Sequence, residues 1–208
     1  YNKSFLGEII FKENFEEINN VKSLKEEQII IPGFIDLHCH GAINHDTMQG
    51  ISSIKKMSEF HLLNGTTTLL PTTWTNSFEN TFKALDGFNE TFLSNNTSNI
   101  IGAHLEGPFI NPKKLGAQPP FAQEPNLKFI KEIQKIAKIK IVTIAPELNG
   151  SNVVIDYLTK NNIKTQFGHS LANYNCCKRI MTKHSVGFTH LYNAMSGNDH
   201  RNPGVLSA

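Results

Sequence analysis

Five side chains in this sequence combine metal-ligand chemistry with places where short apolar runs end: His38, His40, Glu106, His169 and His190. His38 and His40 flank Cys39 directly after Pro-Gly-Phe-Ile-Asp-Leu. Side chains alternate between the faces of a strand, so the two imidazoles point the same way and can share one ion. His-x-His is common, however, and the plain alternative is a polar residue at a strand end. Glu106 precedes Gly107-Pro108, which stops its run; a carboxylate there is either a hard oxygen ligand or a solvated loop acid. His169 sits in Gln-Phe-Gly-His-Ser and His190 in Phe-Thr-His-Leu-Tyr-Asn-Ala-Met. Taken singly, each reads as an ordinary strand-end histidine. Taken together, one Glu and two His on separate strand ends match a catalytic metal site, in which three protein ligands leave a position open for water or substrate.

The elements that must position these groups are legible from periodicity. Short apolar runs at 33–38, 66–71, 100–105, 139–145, 164–168 and 187–190 predict strands buried on both faces, as in parallel sheets. Between them, apolar residues recur at helical spacing: Ile51, Ile54 and Met57; Phe78, Phe82, Leu85 and Phe92; Ile130, Ile133 and Ala137; Val154 and Leu158; Cys177, Ile180 and His184. Strands alternating with helices predict an α/β protein, either a barrel or a doubly wound sheet. Glu106, His169 and His190 at carboxyl ends of strands fit both, since both place ligands at that edge. A boundary near residue 30 separates residues 1–30, with a candidate strand from Phe5 to Phe11, from the strand–helix rhythm of residues 31–208.

Composition narrows the classes. Hydrophobic residues make up 39% and charged residues 18%, an ordinary globular balance that excludes general disorder. With a net charge of +2 and only short lysine runs such as Lys55-Lys56 and Lys113-Lys114, no basic stripe predicts nucleic acid. No run reaches the roughly 18 apolar residues of a membrane span. Three cysteines, two of them the adjacent Cys176-Cys177, make a disulfide framework improbable and predict a reducing cytoplasm.

Over nearly its whole length the chain resembles the N-acetylglucosamine-6-phosphate deacetylases of the amidohydrolase superfamily. The resemblance is carried by Pro-Gly-Phe-Ile-Asp-Leu-His-Cys-His-Gly (32–41), His-Leu-Glu-Gly-Pro-Phe-Ile-Asn-Pro-Lys-Lys-Leu-Gly-Ala-Gln (104–118), Ala-Pro-Glu (145–147), Gly-His-Ser (168–170) and Thr-His-Leu-Tyr-Asn-Ala-Met (189–195). The first marks the superfamily broadly, whereas Leu-Glu-Gly-Pro-Phe and Thr-His-Leu-Tyr-Asn-Ala-Met look specific to the deacetylases. Leu171, where relatives carry an acidic or amide residue, and Ser196-Gly197, where they carry a proline-containing turn, depart from the pattern.

The resemblance implies a (β/α)8 TIM barrel beside a small β-sandwich-like unit, and hydrolysis of N-acetylglucosamine 6-phosphate to glucosamine 6-phosphate and acetate in amino-sugar catabolism. It makes Glu106, His169 and His190 ligands of a principal divalent metal, zinc first, with iron, manganese or cobalt as substitutes. His38 and His40 serve a second ion in members that have two. It sets Ala117, Asn193, Ala194 and Arg201 against the phosphorylated amino sugar, Arg201 through its phosphate, and implies a cytoplasmic homodimer. The family's catalytic Asp lies in a Thr-Asp-Ala-like motif on the last barrel strand; Asp36, Asp46, Asp156 and Asp199 do not match it. The expectation is therefore an incomplete barrel lacking its last strands, with that Asp beyond Ala208 and with residues 1–208 inactive and poorly soluble by themselves. The alternatives are another amidohydrolase acting on a cyclic or linear amide, which lacks support from any lysine-ligand motif here, and a non-catalytic metal-binding fragment.

Overall fold

The structure is a computed structural model that describes residues 7–12, 15–21, 31–93 and 99–208. The chain divides into two compact units, residues 1–32 and 33–208. In the first, β1 (Gly7–Phe11) pairs antiparallel with β2 (Phe15–Asn20). Phe5, the start of the expected strand, lies outside the described residues.

The second unit runs β3 (Phe34–Cys39), the two-residue ladder β4 (Gly41–Ala42) and β5 (His45–Asp46), α1 (Ile51–Leu63), β6 (Thr66–Pro71), α2 (Phe78–Leu85), β7 (Ala103–Glu106), α3 (Leu127–Ile136), β8 (Ile139–Ile144), α4 (Ser151–Lys160), β9 (Lys164–Phe167), α5 (Tyr174–Met181) and β10 (Val186–Phe188). It is an α/β unit whose strands, apart from the antiparallel β4–β5 ladder, run parallel. β3 pairs with β6, and β7, β8, β9 and β10 form a second ladder. The bridges Leu69–Ile100 and Thr72–His104 join the two. The spatial order is thus the chain order, β3-β6-β7-β8-β9-β10, without the reversal that a doubly wound sheet requires.

All four residues of β7 are buried, as expected of a strand covered on both faces. At the edge of the array, by contrast, Phe34, Ile35 and Leu37 of β3 are exposed, and the array does not close on itself among the described residues. Ser77, Asn126 and Asn173 cap α2, α3 and α5 by accepting from the backbone N–H three residues on, so each helix starts where its apolar stripe begins. Those stripes carry Leu85, Phe129, Ile130, Ile133, Cys177 and Ile180 into one core with Leu105, Val142, Ile144 and Phe167. Phe78 and Phe129 stack with centroids 4.1 Å apart, tying α2 to α3.

The differences from the expected elements are local. β7 begins at Ala103 rather than residue 100, because Ile100 contributes only an isolated bridge. Phe92 lies in a separate turn (Asn89–Leu93), and Ala137 and His184 fall past the ends of α3 and α5. β10 stops at Phe188, so Thr189 and His190 start a loop. Among the described residues, no helix is long and apolar enough to cross a membrane.

Candidate metal centre

The carboxyl ends of β3, β7, β9 and β10 bring four imidazoles onto one carboxylate. Glu106, only 1% exposed, ends β7. Its Oε1 lies 3.1 Å from His169 Nε2 and 3.2 Å from His190 Nε2. Its Oε2 lies 2.9 Å from His40 Nε2 and 3.6 Å from His38 Nε2. Within each pair the Nε2 atoms are close, 3.1 Å for His169 and His190 and 3.2 Å for His38 and His40. Glu106 therefore joins both histidine pairs, one on each oxygen, where the spacing alone had given it only to His169 and His190.

The hydrogen bonds on the far sides of the rings decide what those nitrogens can do. His169 Nδ1 lies 2.8 Å from the Lys114 carbonyl and His40 Nδ1 3.1 Å from the Thr72 carbonyl. A carbonyl only accepts, so each Nδ1 carries a proton and each ring turns its Nε2 toward Glu106. At about 3 Å, each Nε2 can meet the carboxylate oxygens through its own proton or through a shared cation. A divalent cation fits: imidazole nitrogens and carboxylate oxygens are its ordinary donors, and the second ring nitrogen is fixed by a carbonyl as in established metal sites.

The electrostatics follow the same contacts. Burial alone would raise the Glu106 carboxyl, but the contacts with His169, His190 and His40 outweigh it and hold the group well below the usual carboxylate range. Burial lowers His38, while the hydrogen bond to Glu106 raises His190. Cys39, between the two histidines, is pushed up to about 11, first by burial and then by Asp36, which leaves it a neutral thiol rather than a nucleophile.

Several supporting residues were not legible as such. Gln118 donates from Nε2 to Glu106 Oε2 at 2.7 Å and accepts the Thr75 N–H at 2.7 Å, fixing the carboxylate plane. The only hint was its place at the end of the 104–118 stretch. Trp74 stacks on His40 at 3.7 Å and donates its indole N–H to Asp46 at 2.6 Å. Glu147 accepts from Asn111, Ser170 and the Leu171 N–H, holding the loop behind His169. His104, fully buried, donates from Nδ1 to the Leu37 carbonyl at 2.9 Å and meets Thr143 Oγ1 at 2.7 Å. Thr143 in turn meets Thr189 at 2.7 Å, so one polar chain links β3, β7, β8 and the end of β10.

Backbone geometry serves the same end. His169, His190 and Ala194 have positive φ values of 49°, 35° and 52°, an uncommon state held at sites where direction matters. Gly168 lets the strands close in: a Cβ there would lie 2.8 Å from Thr143 Cγ2 and 2.9 Å from Thr189 Cβ.

The expected substrate residues are less tightly gathered. Ala194 Cβ and the His169 ring lie 3.5 and 3.6 Å from where a Cβ on Gly116 would be. Ala117, Asn193 and Arg201 are exposed; Asn193 is held through its N–H to the His190 carbonyl and Arg201 through its N–H to Asp199. The His190 ring also hydrogen-bonds to the Asn193 backbone, whereas no side-chain hydrogen bond ties Ala117 or Arg201 to the histidines among the described residues. The four aspartates set aside above serve the fold or the surface: Asp36 accepts the His38 N–H, Asp46 caps the following turn, Asp156 meets His184 at 3.0 Å and Asp199 accepts two loop N–H groups.

No family model matches the chain. Among curated proteins, it is 36% identical over 188 residues to the N-acetylglucosamine-6-phosphate deacetylase of Bacillus subtilis, an alignment covering 86% of this chain and 48% of that one. Among solved structures, the Thermotoga maritima N-acetylglucosamine-6-phosphate deacetylase superposes with a TM-score of 0.85 at 28% identity, covering 96% of this chain and 54% of the other. A Mycobacterium smegmatis N-acetyl-D-glucosamine-6-phosphate deacetylase variant in complex with N-acetyl-D-glucosamine-6-phosphate gives 0.81 at 26% identity, covering 95% and 54%. The chain spans about half the length of the curated relatives it matches. Over the shared stretch it is homologous to these enzymes.

Proposed function

We propose that this chain, a homologue of the N-acetylglucosamine-6-phosphate deacetylases, carries the metal centre of an enzyme that hydrolyses the acetamide of N-acetylglucosamine 6-phosphate. The observation that carries the reading is the convergence of His38, His40, His169 and His190 on the two oxygens of Glu106. Glu106, His169 and His190 hold the principal divalent cation, and His38 and His40 with the other Glu106 oxygen supply donors for a second. Zinc is the first choice, since a Glu/His set also suits iron, manganese or cobalt and selection then rests on availability.

A cation held there supplies Lewis acidity to an amide carbonyl and acidifies water. The protein's own part is orientation and exclusion. Gln118 and the carbonyls of Lys114 and Thr72 fix the ligands' direction, and the buried wall of His104, Thr143 and Thr189 keeps bulk water from that side. On this reading Ala117, Asn193, Ala194 and Arg201 are the residues that meet the sugar, and a guanidinium can donate two hydrogen bonds to one phosphate.

On the same reading the six ordered strands are part of an amidohydrolase (β/α)8 barrel, residues 1–30 belong to a small β-sandwich-like unit, and the whole protein is a cytoplasmic homodimer. No residue of 1–208 is assigned the proton transfer to the leaving amine. The test is acetate release from N-acetylglucosamine 6-phosphate by the intact protein that carries this chain, with ring opening of a dihydropyrimidine as the competing assay. Acetate release should stop on metal removal and return with zinc. Undiminished release after chelation, or ring opening in its place, would overturn the reading.

A further inference from the structure

A second donor set gathers around Cys39. Cys39 alternates with His38 and His40 and so turns away from Glu106 toward α1. Its Sγ lies 3.1 Å from Nε2 of His61, near the carboxyl end of α1. With Asp36, whose hydrogen bond to the His38 N–H leaves carboxylate lone pairs free, the three donor atoms lie within 4.8 Å of one another. Cys39 is buried, while Asp36 and His61 are half-buried, so water can reach the remaining side.

We propose that Asp36, Cys39 and His61 form a sulfur-containing cation site for a borderline-soft divalent ion such as zinc. One thiolate, one imidazole and one carboxylate make a three-ligand set with an open fourth position. Tetrahedral zinc, with bonds of about 2.3 Å to sulfur and about 2.0 Å to nitrogen, sets S and N about 3.5 Å apart. The observed 3.1 Å needs an opening of a few tenths of an ångström, which side-chain rotation of His61 supplies. Without an ion, the same pair is a hydrogen-bonded thiol and imidazole, with the Gly41 carbonyl as a further acceptor 3.7 Å from the sulfur, and that is the competing account. With one, α1 is clamped to the strand that bears His38 and His40. The proposal does not depend on the Glu106 centre being occupied.

Cobalt(II) separates the two accounts, because the Glu106 centre offers only nitrogen and oxygen. Adding cobalt to the metal-free intact protein should give a near-ultraviolet thiolate-to-cobalt charge-transfer band whose final amplitude corresponds to one thiolate-bound cobalt per chain, whatever cobalt the Glu106 centre also takes. The band should vanish in Cys39→Ser, weaken at least severalfold in His61→Gln, and persist when Cys176 and Cys177 are both replaced by Ser. Should Cys39→Ser fail to fold, His61→Gln, a change at a half-buried helix position, carries the test alone. No band at excess cobalt, or a band that Cys39→Ser and His61→Gln leave intact, would overturn the proposal in favour of a hydrogen-bonded thiol.

Discussion

Replacing Glu106 by Gln keeps the shape of the side chain, removes its charge and replaces one oxygen by an NH2 group, and the structure dictates a larger consequence with metal than without. In chelator the carboxylate is held by its contacts with the His169, His190 and His40 rings and by the hydrogen bond from Gln118. Neutralising it relieves a desolvation cost of several kcal/mol but forfeits those charge-assisted contacts, each worth about 1.5–3 kcal/mol. In chelator, Glu106→Gln is therefore expected to cost about 1–3 kcal/mol. With free zinc at about a hundred times the dissociation constant, the parent gains about 2.7 kcal/mol. The variant has lost the carboxylate that both histidine pairs share and should gain less than about 1 kcal/mol by the same linkage. The stability difference thus widens by about 2 kcal/mol from chelator to zinc. Urea titrations of parent and variant, in chelator and in zinc, measure it as midpoint shifts at a common slope. Stabilisation through the Cys39 set enters both proteins and cancels. An equal zinc increment in the two would refute the claim that Glu106 organises the centre.

His104 gives a pH prediction: burial depresses it to about 4 from an ordinary 6.5, so the unfolded chain takes up the proton first. The stabilisation is complete above about pH 6.5 and is lost as pH falls toward 4, up to roughly 3 kcal/mol; His104→Gln should flatten that part of the urea-derived stability profile. Gly168→Ala drives a methyl group against Thr143 and Thr189 and should cost about 1–3 kcal/mol in the same assay. In the intact protein, Arg201→Ala should raise KM for the phosphorylated sugar about tenfold or more, as expected when a charge-assisted contact of about 1.5–3 kcal/mol is lost, and should leave kcat within about twofold. A fall in kcat alone would remove Arg201 from phosphate binding.

What the sequence revealed and what it hid divide along a physical line. Apolar runs such as Ile139–Ile144 and the helical stripes of α2 and α3 announce themselves because burial acts on each residue's own chemistry. The types of the candidate ligands were legible for the same reason: imidazole and carboxylate are chemically distinctive at strand ends. Their partners were not. The Lys114 and Thr72 carbonyls leave no trace in residue identity, since every residue has one. Gln118 and Trp74 are ordinary polar and aromatic residues until the fold sets them beside Glu106 and His40. His190 was read as strand, but its positive φ, unfavourable for a residue with a side chain, turns the backbone out of β10.

The centre also constrains the winding of the sheet more sharply than strand order does. Adjacent strands lie about 4.8 Å apart, so in a flat array of six, β3 and β10 would be separated by about 24 Å. Yet the rings of His38, on β3, and His190, just past β10, have centroids only 5.8 Å apart, and both Nε2 atoms face the carboxylate that ends β7. Side-chain reach cannot span the difference, since an imidazole extends only a few ångströms from its backbone. The array must therefore curl strongly enough to bring its first and last strands to the same side of Glu106. Right-handed strand twist accumulated in one direction produces such curvature, and the unbroken chain order of the strands lets it accumulate. A doubly wound sheet reverses order at its centre and presents ligands in a crevice there, between neighbouring strands. Here the five converging side chains come from strands one, three, five and six of a single progression, so their convergence itself requires strong curvature in one direction.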